Sequence, residues 1–312
     1  MRLSHLLIAA LLALVAAPLA AAPTRFAVSV TGQGPDIILI PGLASPAATW
    51  DTTVAHLKPR YRVHIVEVAG FAGRPAGPNA NGELIVPTVA ELAAYIAEAG
   101  LARPIVIGHS LGGFMGLVLA ARYPASLGAV IVVDTTAGGA LEETPGQSVE
   151  AARAALAKGR DALAATSQAD YATSIPATLA GLIKNDAERA RLTPLIARSD
   201  PRAVARAYYD QDSLDLRPEL ARGTRSTAVP IAVVYSYDPK AEAYGGDPAR
   251  ADAFFARGYR GVPVARMIRI DDSFHFVMAD QPQRFQAALD DLLGSLPRTT
   301  PWRRITRRVA NR

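Results

Sequence analysis

The 312-residue chain has no cysteine. Disulfides, thiol nucleophiles and cysteine-based zinc sites are therefore excluded, and so is lipid attachment through a cysteine. No repeat recurs at a fixed period, and the 24 glycines and 23 prolines are spread along the chain rather than clustered. A solenoid and a low-complexity chain are both poor descriptions. After the first two dozen residues, no stretch is long and apolar enough to span a bilayer. Acid is missing from the last fifteen residues, which hold six arginines. Without them, 33 basic residues against 28 acidic become 27 against 28, so a basic tail rather than a basic fold makes the chain cationic. Nucleic-acid binding has no further support.

What is present suits one large α/β domain, since half of the residues are hydrophobic. Residues 1–22, with one arginine, a Leu/Ala-rich run and an A-x-A end, read as a signal peptide, which implies a periplasmic or secreted protein. An uncleaved membrane anchor is the less favoured reading. The tail, 298–312, could touch an anionic envelope or membrane surface, although a solvated, frayed terminus is the favoured reading.

Between these ends the pattern alternates. Strands are expected at RFAVSV, at Asp36 to Ile40, at Arg62 to Val68, at PIVIG and at Gly128 to Asp134. The helices between them are expected at Ala47 to Leu57, from a Thr88 cap with Glu91 in a capping box, and from Leu111 to Pro124. Buried strands alternating with helices imply a mostly parallel, doubly wound sheet. The alternation lapses over an Ala-rich, amphipathic stretch, residues 138–227, and resumes with VPIAVVYSYD, a helix near Pro248 to Gly258, VPVARMIRI and a last helix. We therefore expect a core formed by 23–137 and 228–297, with 138–227 inserted as a helical cap.

In such a sheet, ligands bind at the carboxyl ends of the strands. Ser110 stands there in Gly108-His109-Ser110-Leu111-Gly112, a G-x-S-x-G between an expected strand and an expected helix. The pentapeptide alone could be a glycine-rich bend. Its context makes it a nucleophile elbow, with small residues two positions either side so that strand and helix can approach closely. A serine nucleophile needs a base, and His275, past the last strand, is the candidate. His109 adjoins the serine but should point away from it.

The acid that orients the histidine is expected to be Asp238, in SYDP, from the order Ser…Asp…His. Asp134, in VVDTT, is the alternative from a neighbouring strand end. Backbone donors for an oxyanion should be the amides of Leu111 and, after Gly42 in IPGLASP, Leu43. Trp50, Phe114 and Phe274 could wall a substrate site, or be plain core. No metal or cofactor is required by this chemistry.

PDIILIPGLASPAATW, EVAGFAGRPAG, IVIGHSLGGFMGLVLAARYP, VVYSYDP and SFHFVMADQPQRFQAAL together resemble the α/β-hydrolase fold superfamily over most of the chain after residue 22. The resemblance implies a Ser-Asp-His hydrolase and leaves the substrate open; the expectation is a small-molecule ester of small or medium acyl size, cleaved through an acyl-enzyme. Thioesterase, amidase and carbon–carbon hydrolase chemistry, or a catalytically silent binding module, are the alternatives on the same fold. The usual His-Gly of the oxyanion loop is Pro41-Gly42 here. The loop YSYDPKAEAYGGDP also offers Glu242 and Asp247 as acids.

Overall fold

The computed structural model describes residues 23–139, 149–227, 229–240 and 246–295. The expected leader and arginine tail fall outside them. Seven strands form one sheet: β1 (Phe26–Thr31), β2 (Asp36–Ile40), β3 (Arg62–Val68), β4 (Ile105–His109), β5 (Ala129–Val133), β6 (Ile231–Tyr237) and β7 (Val264–Asp271). Every residue of β2, β4 and β5 is buried. Continuous apolar runs are what strands covered on both faces require. β7, at one edge, is largely half-buried, and its arginines are paired: Arg266 with Asp291 at 2.6 Å and Arg269 with Asp252 at 2.8 Å.

The spatial order is β1-β3-β2-β4-β5-β6-β7, parallel except for β1, which runs antiparallel to β3. From β2 the chain steps to β3 on one side, then crosses back to β4 on the other. The carboxyl ends of β2 and β4 therefore flank a topological switch point, where the loops above the sheet part and leave a crevice.

Helices cover both faces: α1 (Asp51–Leu57), α2 (Ile85–Glu98), α3 (Leu111–Arg122), α9 (Pro248–Gly258), α10 (Val277–Asp280) and α11 (Pro282–Ser295). Between β5 and β6, α4 (Val149–Ala164), α5 (Gln168–Ala180), α6 (Asp186–Ile196), α7 (Pro201–Asp212) and α8 (Arg217–Thr227) make up a purely helical insertion among the described residues. Trp50 and Phe114 are fully buried core side chains, Trp50 stacking on Phe285 with ring centres 6.2 Å apart.

One boundary departs from expectation. Thr88 does not cap α2, which begins three residues earlier, and its hydroxyl donates back to the Leu84 carbonyl at 2.6 Å. The cap comes from far along the chain: Asp210, on α7, accepts the N–H groups of Leu84 and Ile85 at 2.6 and 3.0 Å. Glu91 also leaves the capping box and instead takes the N–H groups of Thr24 and Arg25 at 2.8 and 3.0 Å. A buried carboxylate at a helix N-terminus satisfies donors that the helix itself cannot.

Candidate active site

Ser110 is the residue between β4 and α3, with φ 51° and ψ −120°. A side chain in that region is strained, and strain of this kind persists only where neighbours hold it. The holding is visible at the glycines. A Cβ on Gly108 would lie 2.1 Å from the Gly112 carbonyl oxygen, and one on Gly112 would lie 2.1 Å from the Ile40 oxygen. Both positions must be glycine for β4, α3 and β2 to approach this closely. The chain thus forms the expected elbow, at the carboxyl end of β4 and at the switch point.

Register decides what stands beside Ser110. β4 and β5 pair Gly108 with Val132 and His109 with Val133, and the Ser110 N–H donates to the Val133 carbonyl at 2.8 Å. The next residue of that neighbouring strand is Asp134, itself at φ 55°. Its Oδ2 lies 2.7 Å from His275 Nδ1. The same carboxylate accepts the Ser236 N–H at 2.7 Å on Oδ1 and the Ser236 hydroxyl at 3.1 Å on Oδ2. It is buried, so this charge is held among fixed donors.

Asp238, expected to hold the imidazole, does not. It lies on the far side of β5, beyond β6, and is 1% exposed. Lys184 Nζ, from the insertion, donates to its Oδ2, and the Lys240 N–H donates to its Oδ1 at 2.8 Å. Lys184 also pairs with Asp272. The Asp238 position therefore anchors the insertion, and the alternative, Asp134, is the carboxylate that meets the histidine.

His109 has a place that sequence reasoning missed. Its ring is wholly buried, 4.7 Å from the His275 ring and 4.6 Å from that of Phe276, centre to centre. Burial, and then the nearby His275, hold its imidazole well below the usual histidine range, so it is neutral. Nε2 must then donate to the His275 carbonyl oxygen at 3.0 Å, and Nδ1 has no hydrogen-bond partner among the described residues. That nitrogen faces the Pro41-Gly42-Leu43 loop, since a Cβ on Gly42 would come within 2.7 Å of it. The side chain thus reaches the backbone of His275. The alternation of residues along β4 could not reveal this, because the partner lies 166 positions away.

The PGL segment is a tight turn, Ser45 N–H to Gly42 carbonyl at 3.1 Å, with Ala44 at φ 59°. Hydroxyls hold its carbonyls, Ser45 on Leu43 at 3.2 Å and Ser199 on Ala44 at 3.1 Å. Leu111, the first residue of α3, has an N–H without an intrahelical acceptor. Leu43, Ser110, Asp134 and His275 all line one cavity of about 470 Å³, roofed by α4 to α7. Of the three aromatic residues expected in a substrate wall, only Phe274 lines it. Among the described residues, no group of three or more His, Asp or Glu side chains is arranged to hold a metal ion.

The model of the alpha/beta hydrolase family matches residues 37–288. The chain belongs to the alpha/beta hydrolase family. This family member is 37% identical over 103 residues to the pimeloyl-[acyl-carrier protein] methyl ester esterase of Aeromonas hydrophila, a match covering 33% of its own chain. It spans only 38% of that relative's length. Among solved structures it resembles the enol-lactonase of Burkholderia xenovorans LB400, with TM-score 0.66 and 21% identity, over 86% of this chain and 96% of the other. A thermophilic esterase from Thermogutta terrifontis superposes with TM-score 0.68 and 21% identity, over 87% and 93% of the two chains. At those identities the structures share the hydrolase fold.

Proposed function

We propose that this protein is a serine hydrolase that cleaves carboxylic esters, with Ser110 as nucleophile, His275 as base and Asp134 as the acid that orients it. The observation that carries the reading is the 2.7 Å contact of Asp134 with His275 Nδ1, in the cavity that a strained Ser110 also lines. With Nδ1–H donated to the carboxylate, Nε2 presents a lone pair able to take the serine proton. Ser110 Oγ adds to the ester carbonyl carbon while its proton passes to Nε2. The resulting oxyanion accepts the N–H groups of Leu111 and Leu43, the first favoured by the N-terminus of α3. Collapse of this intermediate breaks the bond to the alcohol oxygen, which takes the proton from His275. Water, deprotonated by the same imidazole, then releases the acid and restores Ser110.

Labelling with a fluorophosphonate tests this directly. The wild type is expected to take the label and hydrolyse p-nitrophenyl esters, and Ser110→Ala to do neither. An unlabelled, inactive wild type would instead favour a silent member of the fold. The leader-like residues 1–22 motivate a second proposal, that the protein works outside the cytoplasm. Fractionation that finds it only in the cytosol would refute that.

A further inference from the structure

The cavity above Ser110 is lined mostly by apolar side chains. Its helical roof supplies Leu163, Ile175, Leu179, Leu182, Ile196 and Val204. Several polar groups in the wall are already engaged. The Ser174 hydroxyl donates to the Tyr171 carbonyl at 2.7 Å, that of Thr178 to the Ser174 carbonyl at 3.2 Å, and that of Ser236 to Asp134 at 3.1 Å. Tyr171 shares a hydrogen bond with Ser199. Gln211 adds one neutral amide. Among the described lining residues Asp134 alone is an acid, and it is occupied by His275; lysine and arginine are absent. The insertion's Lys184 lies two residues from Leu182, yet it is held between Asp238 and Asp272.

An anion placed in this space would lose its water and find no cation, while an alkyl chain would lose only its hydration cost. Resting on the ester-hydrolase reading above, we propose that the site is built for esters whose chains are uncharged and apolar throughout, and that it rejects chains of the same length ending in a carboxylate. The discrimination comes from the wall rather than from the triad, so it holds for binding as well as turnover.

The test compares p-nitrophenyl hexanoate with mono-p-nitrophenyl adipate at pH 8, with the methyl ester of the latter as a neutral control. Expected is a kcat/KM at least tenfold lower for the carboxylate, largely recovered in its methyl ester. A second arm measures binding of methyl hexanoate and monomethyl adipate to Ser110→Ala, where the neutral ligand should again bind at least tenfold more tightly. Equal or preferred handling of the carboxylate by an active enzyme overturns the inference and leaves the hydrolase reading intact. If the wild type is inactive while Ser110→Ala still discriminates, the hydrolase reading fails and the apolar site stands. If Ser110→Ala does not discriminate, the inference falls.

Discussion

Replacing Asp134 and Asp238 separately by asparagine gives opposite outcomes, and the contacts say why. In Asp134→Asn the Ser236 N–H still needs an acceptor, which keeps the amide oxygen at the Oδ1 position, 2.7 Å away. The amide nitrogen then occupies the Oδ2 position, 2.7 Å from His275 Nδ1. Two donors cannot share that contact, so the imidazole moves its proton to Nε2. The nitrogen meant to accept the serine proton is then already protonated. Asparagine also tolerates φ 55°, so the backbone is not disturbed. A wrong tautomer in intact geometry lowers kcat by about 10³–10⁴ in such triads, equivalent to about 4–5.5 kcal/mol of barrier. Asp238→Asn keeps its shape but removes the charge facing Lys184, costing about 1–3 kcal/mol of stability and leaving kcat within about threefold. Steady-state hydrolysis of p-nitrophenyl butyrate, with thermal melts of both variants, reads the two effects apart. A folded Asp238→Asn variant that loses activity a hundredfold, beside an active Asp134→Asn, would refute the assignment.

Gly112→Ala should lose several kcal/mol or fail to accumulate as soluble protein, because its Cβ would meet the backbone of Ile40 at 2.1 Å. By contrast, Gly159→Ala on α4, with nothing within 4 Å, should raise stability by about 0.5–1 kcal/mol; thermal denaturation measures both. His109→Phe should lower kcat more than it raises KM by freeing the His275 backbone, and His109→Gln, which keeps a donor, should recover part of the loss. Equal kinetics for all three proteins would remove the positioning role. Burial raises the Asp36 pKa, but hydrogen bonds from His64 and Arg62 outweigh this and hold it below the usual carboxylate value. Its contribution to stability is therefore complete above the unfolded-state value and is lost as pH falls through the lower folded-state value. Urea melts of Asp36→Asn should show a deficit at pH 7 that shrinks below about pH 4.

The elbow and the place of His275 were legible because each depends on local order: a strand, a small-residue turn, a helix, and a histidine after the last strand. Strand limits at Asp36–Ile40 and Arg62–Val68 follow from runs of branched apolar residues in the same way. Which carboxylate meets His275 was not legible, since Asp134 and Asp238 both follow buried strands. Only the pairing of β5 directly beside β4 brings Asp134 level with Ser110, and only the fold delivers Lys184 to Asp238. The start of α2 was missed for a similar reason, its cap being a carboxylate more than a hundred residues away. Trp50 and Phe114 could be read from the sequence as wall or as core, and only the packing places them in the core.

The segment joining α5 to α6 is bound to the loop that carries His275 rather than merely lying above it. Asp280 accepts the N–H groups of Lys184, Asn185 and Phe274 at 2.8–3.0 Å, and Phe276 donates to the Leu182 carbonyl at 3.1 Å. Roof and His275 loop are thus one mechanical part. Anyone transplanting a new roof onto this scaffold would have to move residues 272–281 with it, so altered specificity is reached more safely by changing side chains on α5 than by exchanging the whole insertion.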